Sequence, residues 1–435
     1  MKRTALVACL VTMTAVAQNT DYPGARWIPA NSGNQTASNR PATYPVDYIV
    51  IHVTQGSYNG AISWFQNPAS RVSAHYVIRS SDGEITQMVR EKDIGWHAGN
   101  WNYNTWSVGI EHEGWVDQPQ WFTTAMYQSS AALVRDICRR QDIPRNRVYI
   151  IGHNEVPGAT HSDPGPYWNW SYYMQLVQLE ALYHSAQYPI QIRPGERIVA
   201  TIRMLNSGAT DWTPTGSSHA RLGTANPRDR ISPFFTQGDW VSYNRATGVD
   251  ALTAVNAVGD FSFVLTGPRE YGQYSESYQL VRDGITWFGP VATYNILVVP
   301  WEKHYDNRHV DATFHGQWRT SEIGNDRYAQ DYRWIPVSRG STAIARWRLN
   351  APIDGWYDVY AWWTAGSNRT ASAPYEIVHS DGVLRKSLDQ TTNGGRWNLI
   401  GRVRLDAGGG SVYLKANGTK PGVVIADAVR IIGPF

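Results

Sequence analysis

The hydrophobic pattern of the chain changes character near Tyr188. Before this point, short apolar runs alternate with stretches of helical spacing, such as Thr123–Arg140 and the segment from Trp170 to Tyr183. After it, short β-branched and aromatic runs are separated by Gly, Pro, Asn and Asp turns, which is typical of β-sandwiches. With 435 residues the chain is also too long for one typical domain. The sequence therefore predicts an α/β domain followed by two all-β sandwich domains.

Composition divides the chain into five segments. Residues 1–17 have the form of a signal peptide, with Lys2 and Arg3 at the start, an apolar run, and Ala15-Val16-Ala17 as a cleavage site. Residues 18–44 are rich in Asn, Ser, Thr, Pro and Gly, and we interpret them as a leader or linker. The three predicted domains follow at residues 45–188, 189–300 and 301–435.

Charge and cysteine content restrict the partners and the compartment. The formal net charge is +3, and removal of residues 1–17 takes away two positive charges and no negative one. No basic patch or stripe survives, so we expect no nucleic-acid partner. The signal peptide predicts a secreted protein, extracellular or periplasmic, with Cys138 as its one remaining cysteine. We expect a buried inert thiol at Cys138, no internal disulfide, a monomer and no membrane span.

Two apolar runs each end in a histidine. Asp47-Tyr48-Ile49-Val50-Ile51 leads into His52, Val148-Tyr149-Ile150-Ile151-Gly152 leads into His153, and Asp163 opens a Pro-Gly-Pro turn further on. Neutral imidazole nitrogens and one carboxylate suit zinc, and three protein ligands leave a fourth position for water. We therefore predict that His52, His153 and Asp163 are the metal ligands of a catalytic Zn²⁺ site. A histidine at a strand end is more often structural, so this hypothesis depends on the wider pattern.

Further motifs accompany the three candidate ligands. In chain order they are Val50-Ile51-His52, Ser73-Ala74-His75-Tyr76, Gly95-Trp96-His97-Ala98-Gly99, Gly109-Ile110-Glu111, Gly152-His153 and His161-Ser162-Asp163-Pro164-Gly165-Pro166. In this order and spacing the chain resembles the zinc-dependent N-acetylmuramoyl-L-alanine amidases of type 2, relatives of phage lysozyme-amidases and peptidoglycan recognition proteins. The resemblance covers roughly residues 45–184. It implies an amidase domain with a central mixed β-sheet flanked by helices, and peptidoglycan as the substrate.

The run from Ser107 to Glu113 carries two carboxylates on one side. Its strand-like alternation places Gly109, Glu111 and Glu113 on the same face. Carboxylates beside a glycine suggest the floor of a cleft, although a solvated strand face has the same pattern. The resemblance implies that Glu111 is the catalytic base, which takes a proton from a zinc-bound water. We interpret Glu113 as its neighbour in the cleft.

His161 and the pair Trp96-His97 complete the candidate site. His161 lies two residues before Asp163, so on an extended segment both side chains lean toward the metal. We expect a catalytic role for His161, which would stabilise the oxyanion of the reaction. The alternative is a fourth zinc ligand, which would close the site. We interpret Trp96 and His97 as groove wall and as candidate substrate contacts, and His75 as structural.

The β-rich part of the chain resembles two known modules. The first contains Asn206-Ser207-Gly208, Trp212 and Trp287-Phe288-Gly289-Pro290, and it resembles the four-tryptophan immunoglobulin-like domain. The second contains Gly355-Trp356-Tyr357-Asp358 and Asn393-Gly394-Gly395-Arg396-Trp397. It resembles the golvesin C-terminal-like β-sandwich, a module appended to secreted enzymes that act on polysaccharide or cell walls.

The tryptophans of these two modules suggest contact with carbohydrate. Aromatic faces can stack on sugar rings, but large aromatic side chains also fill cores. Because successive strand residues point to opposite faces, at most one of Trp362 and Trp363 belongs to the core. The candidates for sugar contact are Trp212, Trp287, Trp362, Trp363 and Trp397.

Together these features predict a secreted, wall-associated peptidoglycan hydrolase. It would cleave the amide bond between N-acetylmuramic acid and L-alanine with zinc-activated water, while the β-rich domains hold it near the wall. One alternative is a non-catalytic peptidoglycan recognition protein, although relatives without activity commonly lack the third ligand, which is present here as Asp163. Another is an amidase acting on soluble anhydro-muropeptides. The export signal and the appended domains favour the intact wall.

Overall fold

The computed structural model describes residues 20–435, so the expected signal peptide lies outside the described residues. The three largest clusters of buried apolar residues lie in three successive units of the chain. The first unit mixes helices and strands, and the other two are built from strands, which confirms the predicted fold class. No helix within the described range is long and apolar enough to cross a membrane.

The first unit has a central mixed sheet flanked by helices, as predicted. Its helices are α1 (Tyr58–Gln66), α2 (Trp101–Trp106), α3 (Thr124–Gln141) and α4 (Trp170–Gln178). Its strands are β1 (Ala25–Trp27), β2 (Gln35–Thr36), β3 (Tyr48–Val53), β4 (Tyr76–Ile78), β5 (Ile85–Gln87), β6 (Ile94–Gly95), β7 (Ser107–His112) and β8 (Ile150–Gly152). Six of them form one sheet in the order β1-β5-β4-β7-β3-β8, and β2 pairs with β6.

Helix α3 covers one face of this sheet and confirms the helical spacing seen in the sequence. The hydroxyl of Thr123 accepts a hydrogen bond from the Met126 N–H and caps the start of the helix. The helix ends where Asp142 takes up the left-handed conformation, with φ of 57°. Its inner face is buried and includes Cys138, whose thiol has its pKa raised to about 12 by burial. Cys138 is therefore an inert core residue, as expected.

Parallel pairing around β3 places the candidate site at one edge of the sheet. Strand β3 runs parallel to β7 on one side and to β8 on the other. The register pairs His52 with Glu111 and Ile51 with Gly152, so His153 follows directly at the same level. Because the carboxyl ends of parallel strands meet at one edge, residues distant in sequence come together there.

The interpretation of residues 20–44 as a leader or linker is wrong. Ala25–Trp27 forms β1 at the edge of the central sheet, in parallel pairing with β5. Asp21 accepts a hydrogen bond from the Glu91 N–H at 2.8 Å. Arg40 is only 5% exposed and donates to the backbone carbonyls of Glu91, Thr105 and Ser107 at 2.7–3.0 Å. Strands of two and three residues are too short to show an alternation of apolar and polar residues. The polar composition of the segment therefore gave no sign of them.

The predicted boundary at residue 188 also needs correction. Helical spacing appeared to continue to Tyr183, but α4 ends at Gln178 and Ala181–Gln187 forms a strand. That strand pairs with Arg197–Asn206 of the second unit, and Leu179 is buried in the core of the second unit. The boundary therefore lies near residue 180. Leu179 continues the helical spacing in the sequence, but its side chain packs in the core of the second unit.

The second unit is built from two sheets. Its strands are β9 (Ala181–Gln187), β10 (Gln191–Ile192), β11 (Arg197–Asn206), β12 (Arg221–Ala225), β13 (Arg245–Gly248), β14 (Val258–Thr266), β15 (Gly272–Arg282) and β16 (Thr286–Val298). The sheets have the orders β10-β16-β15-β12-β13 and β14-β11-β9. Phe261 and Tyr278 from the two sheets lie in one buried cluster, as in a sandwich.

The third unit contains twelve strands within residues 301–435. They are β17 (Trp301–Asp306), β18 (Ala312–His315), β19 (Arg319–Ser321), β20 (Tyr332–Pro336), β21 (Ile344–Arg348), β22 (Gly355–Trp362), β23 (Ala373–His379), β24 (Gly382–Leu388), β25 (Asn398–Leu405), β26 (Ser411–Lys415), β27 (Val423–Ala426) and β28 (Ala428–Gly433). The sheets have the orders β17-β28-β22-β25, β18-β21-β26-β23-β24 and β19-β20-β27.

The five tryptophans proposed for sugar contact fall into two groups. Trp212 and Trp363 are 0% and 2% exposed and belong to the cores of their units, so they are not available for sugars. Trp287 is partly exposed and lies between the guanidinium groups of two arginines. Trp362 and Trp397 are partly exposed and touch, with ring centres 5.3 Å apart. The alternation argument for Trp362 and Trp363 is thus confirmed.

The anchoring of residues 20–44 can be tested by one substitution. Arg40→Ala removes the donor of three buried backbone carbonyls, and an unsatisfied buried acceptor costs about 1–3 kcal/mol. We expect the free energy of unfolding of the first unit to fall by about 3 kcal/mol or more. Arg26→Ala is the matched control, because Arg26 lies in the same segment with a side chain that is 52% exposed. Equal stability of the two variants in urea denaturation would contradict the anchoring role.

Candidate metal centre

The three predicted ligands come together at the edge of the sheet where β3 and β8 end. His52 Nδ1 lies 3.3 Å from Asp163 Oδ2, and His153 Nδ1 lies 3.1 Å from Asp163 Oδ1. One donor atom from each of the three side chains fits within 4.8 Å of the others, and all three residues are buried. This group of side chains could hold a metal ion.

The donor set fits zinc in spacing and in protonation state. Ligands at 2.0–2.1 Å from a tetrahedral ion stand about 3.4 Å apart, close to the spacing seen around Asp163. Burial lowers the pKa of His52, against the effect of its contact with Asp163, so the imidazole is neutral and can donate a lone pair. Burial acts to raise the pKa of Asp163, but its close contacts with the rings of His153 and His52 hold that pKa well below the ordinary value.

Backbone contacts of the loop after β8 bring Asp163 under the histidines. The Asn154 N–H donates to the Asp163 carbonyl at 2.9 Å, so the loop closes on itself next to His153. Gly165 has φ of +80°, and a Cβ there would lie 2.6 Å from the Cβ of Val116. Only glycine combines this backbone conformation with such close packing, so Gly165 fixes the path of the chain beside the ligand.

Glu111 faces the same cavity from β7. Its Oε2 is buried and has no hydrogen-bond partner among the described residues. Withdrawal from water, and secondarily the charge of Asp163, raise the pKa of Glu111 to about 8. A carboxylate without a donor beside a cluster of metal-ligating atoms has the chemistry of a proton acceptor.

Glu113 does not share the cleft with Glu111, contrary to the interpretation of the strand face. Its carboxylate accepts hydrogen bonds from the Tyr58 N–H at 2.9 Å and from the Ser80 N–H at 2.8 Å. These bonds fasten the start of α1 and the end of β4 to β7. Glu113 is therefore a structural brace.

His161 stands at the mouth of the site. It is exposed, and its ring stacks on His153 with centres 4.9 Å apart and an angle of 17° between the planes. The buried donor group within the described residues contains His52, His153 and Asp163 and does not include His161. The arrangement therefore gives no support to a fourth protein ligand. His161 lies at the solvent-facing side of the donor group.

His97, a candidate substrate contact, lies next to the ligand His52 and also lines the cavity. His97 Nδ1 is 3.0 Å from His52 Nε2, and its Nε2 is 3.3 Å from Ser107 Oγ. Burial lowers the pKa of His97 well below its ordinary value, so the ring is neutral. Trp96 is partly exposed on the cavity wall, as predicted. His75 is fully buried and accepts a hydrogen bond from the Gly109 N–H, which fits its structural role.

The donor cluster lies at the base of a cavity of about 590 Å³. One wall is apolar and comes mainly from α1, with Trp64 at its rim. A second cavity of about 370 Å³ shares Trp96, His97 and His161 with the first and extends toward Trp101. Trp64 and Trp101 are 53% and 52% exposed, so aromatic faces border the site in both directions.

Comparison with known proteins gives the family of the first unit. Residues 42–166 match the family model described as N-acetylmuramoyl-L-alanine amidase. The N-acetylmuramoyl-L-alanine amidase A of Achromobacter lyticus is 41% identical over 175 residues, which cover 36% of this chain and 95% of that protein. The chain belongs to the N-acetylmuramoyl-L-alanine amidase family. The resemblance drawn from the sequence motifs is thus confirmed.

Two further relatives match parts of the amidase chain. The 1,6-anhydro-N-acetylmuramyl-L-alanine amidase AmpD of Haemophilus influenzae is 38% identical over 115 residues, covering 25% of this chain and 60% of that protein. A xanthan lyase of Bacillus sp. strain GL1 is 36% identical over 120 residues, covering 27% of this chain and 13% of the lyase. Residues 304–433 match the model of the golvesin C-terminal domain, which confirms that resemblance. The four-tryptophan assignment of the middle unit stays a prediction.

The donor cluster predicts metal binding that can be measured directly. The purified amidase should hold about one zinc per chain, and Asp163→Asn, which keeps the shape and removes the charge, should lose it. Asp117→Asn changes an exposed carboxyl in the same unit and should keep the metal. Because burial lowers the pKa of His52, zinc should be released only below the ordinary histidine range as pH falls. Metal analysis that finds no zinc in the unmodified protein would contradict this site.

Proposed function

We propose that this amidase is a secreted, zinc-dependent peptidoglycan hydrolase that cleaves the bond between N-acetylmuramic acid and L-alanine. One observation carries the proposal: His52, His153 and Asp163 supply a buried donor set beside the unpartnered carboxylate of Glu111, within an amidase-family domain. A non-catalytic recognition protein would need only a groove that binds peptidoglycan. The full donor set and a carboxylate in the same cavity favour catalysis.

In the proposed mechanism Glu111 moves the proton. When bound, zinc would acidify a water at its open position and polarise the substrate carbonyl. Glu111 Oε2 takes a proton from the attacking water and delivers it to the nitrogen of the leaving L-alanine. His161, exposed beside His153, would donate an N–H to the carbonyl oxygen as that oxygen gains charge. Burial of Glu111 favours its protonated form, which suits the return of the proton to the leaving nitrogen.

The intact wall is the proposed substrate. Two β-rich units follow the amidase unit, and one of them matches the golvesin C-terminal domain. Partly exposed rings of Tyr328, Trp362 and Trp397 lie together on that unit, with centres 5.1–5.6 Å apart. We propose that this aromatic cluster contacts wall sugars and keeps a monomeric enzyme at its insoluble substrate.

A second candidate substrate comes from the relatives. The AmpD proteins that match the amidase unit are named for 1,6-anhydro-N-acetylmuramyl-L-alanine, a soluble muropeptide chemistry. The proposed export and the appended units favour the wall, because a soluble substrate needs no tether. Comparing hydrolysis of intact sacculi with hydrolysis of soluble anhydro-muropeptides separates the two.

The base role can be tested with a matched pair of substitutions two residues apart. Glu111→Gln should keep zinc and lose turnover by about two or more orders of magnitude, because an amide cannot accept the proton. Glu113→Gln should keep turnover and lower stability instead, because Glu113 accepts two backbone N–H groups away from the cavity. Turnover is followed as new N-terminal alanine released from purified peptidoglycan. Near-normal turnover in Glu111→Gln would remove Glu111 from the mechanism.

The tethering role is tested on the third unit. Trp397→Ala in the full chain should weaken binding to insoluble sacculi and leave hydrolysis of small soluble muropeptides unchanged, because Trp397 lies outside the amidase unit. Trp356→Ala is the control, since Trp356 is 47% exposed on the same unit and outside the aromatic cluster. A pull-down with sacculi compares the three proteins. Equal binding by all three would rule out the aromatic cluster as the wall contact.

A further inference from the structure

A backbone carbonyl sets the direction of a hydrogen-bond chain that ends at a metal ligand. The Tyr103 carbonyl oxygen can only accept, and Ser107 Oγ lies 2.5 Å from it. A hydroxyl has one hydrogen, so Ser107 donates it to Tyr103 and keeps only its lone pairs for other partners. His97 Nε2, at 3.3 Å from Ser107 Oγ, must therefore carry a hydrogen and donate it.

The rest of the chain follows from the two nitrogens of an imidazole. A neutral His97 with its hydrogen on Nε2 has a bare Nδ1, which can only accept. Its partner at 3.0 Å is His52 Nε2, which must then carry the hydrogen of that ring. His52 Nδ1 is left with a lone pair, and it is this nitrogen that faces Asp163 Oδ2 at 3.3 Å.

We propose that His97 and Ser107 are positioning residues that lock His52 in the tautomer with a bare Nδ1 before any metal arrives. In that state a lone pair of His52 faces a carboxylate oxygen with no hydrogen between them, an arrangement that a cation relieves. His97 thus contacts the ligand His52, and its contact with substrate stays a prediction.

The second histidine ligand is held differently. His153 Nε2 is buried and has no hydrogen-bond partner among the described residues. Its ring is placed by stacking on His161 and by Asp163. The metal centre thus combines one ligand whose tautomer is set by His97 and Ser107 with one whose Nδ1 has, within the described part of the chain, only Asp163 as its hydrogen-bond partner.

Gly109 leaves room for the chain of hydrogen bonds from the Tyr103 carbonyl through Ser107 and His97 to His52, which we call the relay. It lies on β7 between Ser107 and Glu111, and a Cβ on it would fall 2.4 Å from Cγ of His97. No Cβ tolerates that distance, so any side chain at 109 would displace the imidazole from His52. Gly109→Ala therefore breaks the relay and leaves His97 in the sequence.

The first test concerns the chain without metal and does not depend on the proposed function. Nitrogen-15 NMR of histidine side chains separates the two neutral tautomers, and His52 is assigned by its loss in His52→Gln. In metal-free protein we expect His52 to carry hydrogen on Nε2 and His97 likewise on Nε2. Hydrogen on His52 Nδ1 would overturn the proposal, whatever the enzyme turns out to bind. The expected tautomers in a protein that binds no zinc would leave the relay standing and remove the proposed function.

The second test uses Zn²⁺ itself as the probe. Loss of a residue that orients a metal ligand costs about 10–100-fold in metal affinity. We expect losses in this range for His97→Leu, Ser107→Ala and Gly109→Ala in competition with a chelator. Ser107→Thr, which keeps the hydroxyl, should restore affinity.

Ser130→Ala is the matched control for Ser107→Ala. Ser130 is buried and its hydroxyl lies 2.7 Å from His112 Nε2. Ser130→Ala therefore removes a similar serine–histidine bond, whose histidine contacts the backbone carbonyl of His52 and not its ring. Thermal unfolding of the metal-free variants shows that each one is folded. Zinc affinity lowered equally by Ser107→Ala and Ser130→Ala, or unchanged in Ser107→Ala, would overturn the positioning role.

Discussion

The site depends on the parallel pairing of β3 with both β7 and β8. This pairing sets His52 opposite Glu111 and brings His153 to the same level from the other side. A shift of one residue in either register would turn Glu111 or His153 to the opposite face of the sheet. The apolar faces of β3 and β7 are buried against α3, and that burial holds the register in place. The core of the domain thus determines the geometry of its polar edge.

Few of the buried groups at this edge of the sheet are charged. Two imidazoles and one carboxylate form the donor set, and Glu111 stands next to them without a hydrogen-bond donor among the described residues. Burial disfavours charge on His52, Glu111 and Asp163, and the Asp163 carboxylate is held ionised by its neighbours. Such a cluster has little reason to persist as a purely structural feature, because an apolar core would be more stable.

The sequence was sufficient to predict the fold class and all three residues of the donor set, because both leave patterns that can be read along the chain. Runs of apolar residues ending in His52 and His153 mark strand ends, and helical spacing marks α3 correctly. The role of His97 was not predictable, because its partner Ser107 belongs to another element and only the fold brings the two together. Arg40 was missed for the same reason, as its acceptors are backbone carbonyls that leave no trace in composition.

Errors at the domain boundaries have a related physical origin. Leu179 continues the spacing of α4 but is buried in the core of the next unit, so periodicity alone extended the helix too far. The tryptophans show the opposite ambiguity. Trp212 and Trp363 fill cores, whereas Trp397 lies partly exposed, and composition is the same for all three.

The anchoring of Arg40 has a consequence for the order in which the amidase unit can form during synthesis. Its acceptors are the carbonyls of residues up to 67 positions further along the chain. The segment that leaves the ribosome early therefore cannot complete its docking until Ser107 has been synthesised. Contacts of such long sequence separation slow folding, because the chain loses the entropy of closing the loop before it gains the contact. Ser107 also begins β7, so the pairing of β3 with β7 that brings His52 next to Glu111 has the same requirement.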